Sequence, residues 1–300
     1  MPAKYFTCPD GRTIPIEECL TACPRMQRCM FLPTLRAVAK SLNRGIKEPT
    51  VTELIAGSRE TYLKKTVDYA VNPQDVLYAI HGSAFHSLNE NHTQGNMLTE
   101  IRLKDDITSG KFDLYGEILD RDTGVLGDIK VTSSYKIMKA LGKYKVDVPT
   151  GEVYKTGSRK GEIKFKKEWR NDGYKDVLDW AIQLNYYRIL LEQQGFAVHK
   201  MVIQAMCRDS SLRIANERGI LQPIYLIPIQ PISDRWIHRY MQHKASALTK
   251  ALATKELPLI CTARERWKNR KCLDYCQVAD HCPYGCRLKS NIQKPLQGVS

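Results

Sequence analysis

Gly127-Asp128-Ile129-Lys130, read together with Gly110-Lys111-Phe112-Asp113 just upstream, decides the fold. Both runs sit in apolar, strand-like segments. Side chains alternate faces along a strand, so Asp128 and Lys130 project to the same side. Two carboxylates and an ammonium at adjacent strand ends suit divalent-metal binding and water activation beside a phosphate. Working outward, strands are expected around 97–104, 110–119 and 124–132, with Asp122-Thr123-Gly124 as the turn between the last two. Helices are expected upstream over 34–39, from about 50 with Thr52 as N-cap, and over 75–90, which carries Gly82 and His86. Downstream, an amphipathic helix over 174–194 is stopped by Gly195. Strands follow at 198–207 and 223–229, then a helix over 234–252. Cys207 falls in an apolar run and reads as a small core residue. Helix, three strands, helix, strand is the order of a mixed α/β domain.

The 300 residues carry a net charge of +14, with a pI near 9.3. That surplus predicts a polyanionic partner, nucleic acid first and an anionic membrane second. The N-terminal residues lack the apolar stretch of a signal peptide, and no run is apolar enough to span a bilayer. The expected location is cytoplasmic, without membrane association. In a reducing compartment, clustered cysteines bind metal more often than they form disulfides. Eight of the ten cysteines repeat one spacing, C-x10-C-x3-C-x5-C: Cys8, Cys19, Cys23 and Cys29, then Cys261, Cys272, Cys276 and Cys282. Two equivalent four-thiolate sites follow. Zinc accepts four thiolates but favours tighter C-x2-C pairs, whereas an iron–sulfur cluster tolerates wider spacings. The chain thus divides into an N-terminal four-cysteine module and connector (1–45), a core (46–256) and a C-terminal four-cysteine module (257–300). Within the core, the lysine-rich stretch 136–172 reads as an insertion. Gly151, Gly157 and Gly161 break it into either a hairpin near substrate or a solvated loop.

In order, the chain shows Gly82-Ser83-Ala84-Phe85-His86, then Glu100, Gly110-Lys111-Phe112-Asp113, Asp128-Ile129-Lys130, and Gln183 with Tyr187. Over about residues 50–230 this resembles the RecB-like branch of the PD-(D/E)XK nuclease superfamily. That branch shows a G-x-x-x-H helix, a G-x-x-D strand, a D-x-K strand and a Q-x-x-x-Y helix. The resemblance implies a restriction-endonuclease-like core, a mixed central sheet flanked by helices. It implies Mg2+ or Mn2+ held by His86, Asp113, Asp128 and the backbone carbonyl of Ile129. Lys130 would position the attacking water or help deprotonate it. Glu100 would be a further acid, with Glu117 and Asp120 as nearby alternatives. Gln183 and Tyr187, four apart on one helix face, would contact the nucleic acid, with Tyr186 as the fallback tyrosine. The implied activity is hydrolysis of DNA, single-stranded or end-bearing, in recombination, repair or phage and mobile-element processing. The setting would be a bacterial or phage-infected cell, and the partners another copy of the chain or a recombination complex.

Some CRISPR-associated RecB-like nucleases carry a [4Fe-4S] cluster on one cysteine upstream of the core and three downstream. Cys272, Cys276 and Cys282, followed by Pro283, resemble the downstream three, with the first spacing one residue longer. The upstream cysteine would fall within 52–59, where this chain has none. Cys261 instead completes a local quartet, which leaves iron–sulfur and zinc open at each site, and sharing between the termini open as well. Two other functions compete: a non-catalytic DNA-binding or adaptor protein, and an interaction platform on two zinc modules.

Overall fold

The computed structural model describes residues 3–42, 48–119 and 121–293. Strands β1 (Tyr5–Thr7) and β2 (Thr13–Pro15) form a hairpin that leads into helices α1 (Ile16–Thr21) and α2 (Leu32–Leu42). Helices α3 (Val51–Ala56) and α4 (Ser58–Thr66) follow, meeting at Gly57. Strand β3 (Ala70–Val71) then runs parallel to β1, with Val71 beside Phe6, and ties the N-terminal segment to the body. The N-cap of helix α3 is Thr50, not Thr52 as expected. The reason is a capping box: the Thr50 hydroxyl accepts from the Glu53 N–H (3.3 Å), and the Glu53 carboxylate accepts from the Thr50 N–H (2.8 Å). Helix α5 (Leu77–Asn91) follows a short 3-10 turn at Pro73–Val76.

The expected first two strands are each broken in the middle. They form β4 (Leu98–Thr99) and β5 (Arg102–Lys104), then β6 (Ser109–Lys111) and β7 (Leu114–Gly116), before the unbroken β8 (Val125–Thr132). Thr99 faces Leu114 and Arg102 faces Lys111, so one register runs through the break. Glu100 therefore lies opposite Asp113. Glu100 has a left-handed backbone (φ 54°), which interrupts the strand here although its N–H still donates to the Asp113 carbonyl (3.1 Å). The turn into β8 is closed by Asp122, whose carboxylate accepts from the Gly124 N–H (2.9 Å).

Beyond β8 come α6 (Ser134–Ala140), a long hairpin of β9 (Lys143–Val153) and β10 (Ile163–Asn171), α7 (Leu178–Gln193) and β11 (Lys200–Cys207). The chain continues through α8 (Arg213–Glu217), β12 (Ile224–Ile229), α9 (Asp234–Thr254), α10 (Arg270–Asp274) and α11 (Pro283–Gln293). The central sheet has the order β12-β11-β8-β7-β4. Strands β8 and β11 are parallel and the other neighbours antiparallel, so the fold is mixed α/β. The parallel pair needs a crossover, and α7 supplies it.

Helix α7 starts later than expected and is not an amphipathic surface helix. Every residue from Trp180 to Leu191 except Gln183 is buried, because the sheet covers one side and α3 and α9 cover the other. Its large apolar side chains, Leu184, Leu190 and Leu191 among them, contribute about 1.5–3 kcal/mol each. Two polar members of this helix are anchored to neighbouring elements. Asn185 donates to the carbonyls of Ala181 and Gln230 and accepts from the Ile232 N–H, and Arg188 pairs with Glu192 and Asp234. No helix among the described residues is long and apolar enough to cross a membrane.

Candidate functional site

A groove of about 1480 Å³ is lined by residues of α2, α3, α4 and α5. His86, Glu100, Asp113, Lys130, Gln183 and Tyr187 all line it. Each comes from a different local cause. The break in the β4–β7 hairpin turns Glu100 and Asp113 inward. Like charges directly opposite on a hairpin repel, so this pair needs cations beside it. His86, from the middle of α5, places Nδ1 3.1 Å from Glu100 Oε1 and 3.4 Å from Asp113 Oδ1. Lys111 pairs with the other Glu100 oxygen. His86, Glu100 and Asp113 bring their ligand atoms within 4.8 Å of one another, the one such group of His, Cys, Asp and Glu among the described residues.

Asp128 lies outside that trio and beside it. It is 2 % exposed and Asp113 is 8 % exposed. Asp128 Oδ1 accepts from Lys130 Nζ (3.0 Å) and from Gln183 Nε2 (3.2 Å). Its Oδ2 is 2.8 Å from Lys130 Nζ, yet no donor is aimed at it in hydrogen-bonding geometry. The alternation expected of β8 thus places Asp128 and Lys130 together. Gln183 links the two, accepting from Lys130 Nζ (3.1 Å), and its amide also donates to the Tyr187 hydroxyl (3.2 Å). Tyr186 is turned away, donating to Asp105 (2.6 Å), so Tyr187 is the tyrosine at the groove. Gly110 explains why these motifs interlock: a Cβ there would lie 2.3 Å from the Tyr187 ring.

Pairing between β7 and β8 ends at Leu114 and Gly127. Past that point one edge of β8 faces Asp113, whose Oδ2 accepts from the Ile129 N–H (2.7 Å). The N–H and C=O of a strand residue leave from the same edge, so the Ile129 carbonyl opens toward the same side. Glu117 is instead near Asn96, and Asp120 lies outside the described residues. Lys111 is not among the expected site residues, although the period-two alternation that aligns Asp128 with Lys130 also aligns Lys111 with Asp113.

Charge is concentrated here. Burial, then the neighbouring Asp128, pushes Asp113 up to about 7. His86 is raised by its hydrogen bond to Glu100, against burial. Burial works against ionisation of Glu100, but His86 and Lys111 outweigh it and hold its carboxyl below the usual range. Burial likewise opposes the charge on Lys130, and Asp128 and Asp113 outweigh it, so the ammonium keeps its proton. In the metal-free protein Lys130 is a donor rather than a base.

The cysteine quartets repeat in structure as well as in spacing. In each, the second cysteine lies on a short helix (Cys19 on α1, Cys272 on α10). The third (Cys23, Cys276) follows that helix, and the fourth (Cys29, Cys282) precedes an 11-residue helix, α2 or α11. In the N-terminal module, Cys8 and Cys23 each open a Cys-Pro turn. The Gly11 N–H donates to the Cys8 carbonyl and the Met26 N–H to the Cys23 carbonyl (2.8 and 2.9 Å). The Cys19 thiol is pushed up by burial and then by Cys23, Cys8 and Cys29, which face it.

The four C-terminal cysteines line one small cavity with Arg59, Glu60 and Leu63 of α4. Arg59 Nη1 lies 3.9 Å from Cys282 Sγ, and burial pushes the Cys276 thiol up to about 11. Cys261 stands against Gly57, where a Cβ would meet its sulfur at 3.1 Å. A cysteine distant in sequence therefore occupies the neighbourhood, 52–59, in which an upstream cysteine is expected. No three cysteine sulfurs among the described residues lie within 4.8 Å of one another. Sulfurs about 2.3 Å from one tetrahedral zinc would be roughly 3.8 Å apart. Cys207 belongs to neither quartet; it is buried, with its thiol 3.4 Å from Asp209.

No protein-family model, curated protein or solved structure matches the chain significantly.

Proposed function

We propose that this protein is a divalent-metal-dependent DNA nuclease of the PD-(D/E)XK type, acting on single strands or DNA ends. The observation that carries the reading is the meeting of His86 from α5, Glu100 and Asp113 from the broken hairpin and Lys130 from β8 in one groove, with Asp128 buried against Lys130. Oxygen donors with one imidazole suit Mg2+ or Mn2+. The fit rests on two features: an Asp128 oxygen without an aligned donor, and an Asp113 that burial and like charge push up to about 7, so that a cation would favour its ionised form. His86, Asp113, Asp128 and the Ile129 carbonyl would hold the ion, and Glu100 extends the set. Such an ion neutralises phosphate charge and makes a bound water more acidic.

Hydrolysis joins a water oxygen to phosphorus and breaks one P–O ester bond, with a proton leaving the water and one reaching the leaving oxygen. Lys130 spends hydrogen bonds on Asp128 and Gln183 and retains a donor for the water or a phosphate oxygen. Gln183 fixes Lys130 and Asp128 relative to each other. Gly82 lines the groove with nothing within 4 Å of its absent Cβ, which leaves room for a strand to approach α5 closely. The overall charge of +14 favours the same partner. At the C-terminal quartet we infer an iron–sulfur cluster, which tolerates the wide sequence spacing of these cysteines better than zinc with its usual C-x2-C pairs.

The test is cleavage of end-labelled single- and double-stranded DNA with and without Mn2+ or Mg2+. Metal-dependent product ladders are expected. A folded, metal-replete protein that binds DNA without cutting it would leave the adaptor role in place of the nuclease.

Metal affinity should depend steeply on pH. Below about 7 Asp113 carries a proton, and His86 is also held protonated; both protons must leave before the ion binds. For each group the folded-state pKa is raised. Its stabilising contribution is therefore present at low pH and lost as pH rises through the folded value, in the range where metal takes over. Titration calorimetry should show Mn2+ binding about tenfold weaker per pH unit per displaced proton between pH 7 and 6, levelling off near 8. Equal affinity at pH 6 and 8 would remove Asp113 and His86 from the ligand set.

A further inference from the structure

The β9–β10 hairpin stands apart from the rest of the fold. It is a two-stranded sheet that pairs with no other strand among the described residues, and none of its 20 strand residues is buried. Such a ribbon has no core of its own and is marginal in water. It nevertheless displays large apolar side chains: Phe165 is 54 % exposed and Trp169 is 42 % exposed. Register places Trp169 opposite Lys145 and Lys167 opposite Asp147. Aromatic rings and lysines therefore alternate along one face, with Lys145 Nζ 4.8 Å from the Trp169 ring centre. Between residues 143 and 171, nine lysines and arginines stand against four acids, a surplus of five.

The root of the ribbon is firmly placed. Gly142 and Gly173 cross there so closely that a Cβ on Gly142 would collide with the Gly173 carbonyl. The Asp172 N–H donates to Gly142, and Lys143 Nζ donates to the Gly219 carbonyl (3.1 and 2.8 Å). Just before it, Lys136 on α6 lies over the Trp180 ring of α7, one helical turn from Gln183. The ribbon thus leaves the body through α6, which is tied to the helix that carries Gln183. An 11-residue strand reaches about 35 Å, or some ten base-pair steps.

We propose that this ribbon grips duplex DNA beside the strand held in the groove, entering the major groove and contacting flanking phosphates. The major groove, about 12 Å wide, admits a two-stranded ribbon. The lysine surplus matches phosphate, and the exposed rings match sugar and base edges. The inference rests on the nuclease reading and names the form of DNA that the site takes: a duplex with a single-stranded end.

The experiment uses the full chain with Lys155, Lys160 and Lys167 all changed to serine. These three are exposed and make no ion pair among the described residues, so the fold is undisturbed. Fluorescence anisotropy, without added divalent metal, compares an overhanging duplex with a single strand over a salt series. Expected is at least a tenfold loss of duplex affinity, a fall of about 2 to 3 in the logarithmic salt slope, and unchanged single-strand affinity. Metal-dependent cleavage of the single strand should persist in the variant. An unchanged duplex affinity and slope would overturn the ribbon's role while leaving the nuclease standing. Binding to anionic vesicles through these lysines, with none to duplex, would overturn it in favour of a membrane partner. Wild-type protein that binds and cuts no DNA would overturn both readings.

Discussion

Asp128→Asn is expected to lower metal-dependent cleavage by about a thousandfold or more while DNA binding stays within a few-fold of wild type. The side chain keeps its shape, so Gln183 and Lys130 still find an oxygen to bond. What disappears is the negative charge that, with Asp113, would bind the metal and fix the protonated lysine. Two effects on the metal-free protein oppose each other. Lys130 loses its nearest counter-charge, which costs stability when a pair is buried. Asp113 loses the neighbour that, after burial, does most to oppose its ionisation. The melting temperature should therefore move by only a few degrees. A large loss of activity without a large loss of stability separates a catalytic carboxylate from a structural one. Cleavage within tenfold of wild type would remove Asp128 from the site.

The parts of this site that sequence could reveal are those set by local periodicity. Alternation along β8 aligns Asp128 with Lys130, and a four-residue step on α7 aligns Gln183 with Tyr187. Long-range contacts supply the rest. The break at Glu100 and Asp113 needs a left-handed backbone at a glutamate, which surrounding structure must impose. The burial of α7 on all sides depends on α3 and α9 closing over it, and its mixed composition carries no sign of that. The ribbon is ambiguous in sequence because Gly151, Gly157 and Gly161 read as breakers. Pro149 sits opposite Phe165, at the register shift of the ladder, where a missing N–H is tolerated. The approach of Cys261 to Gly57 leaves no trace in local sequence at all.

Cys276→Ser should lower the melting temperature by about 10 °C or more, corresponding to several kcal/mol, and should halve the bound metal. The segment from residue 257 to 292 contributes only Val278 and Ala279 to the buried apolar set, too little to fold alone. Polar straps hold it to the body: Glu60 between Lys64 and Lys271, and Lys244 with Glu265. These straps orient the module, but at its centre burial raises the thiols of Cys261, Cys272 and Cys276. A metal centre would convert them to bound thiolates and add cohesion that the small buried set lacks. The consequence reaches the groove, because α4 lies under the quartet while Lys64 and Lys65 of the same helix line the groove wall. Activity should therefore fall along with thermal stability and recover at low temperature, where the wall is seated. The matching helix placement of the two modules predicts the same metal in both, so the serine variant should retain half the iron and half the acid-labile sulfide. Zinc in place of iron would overturn the cluster and keep the structural role. An unaltered melting temperature and metal content would show that the quartet binds nothing.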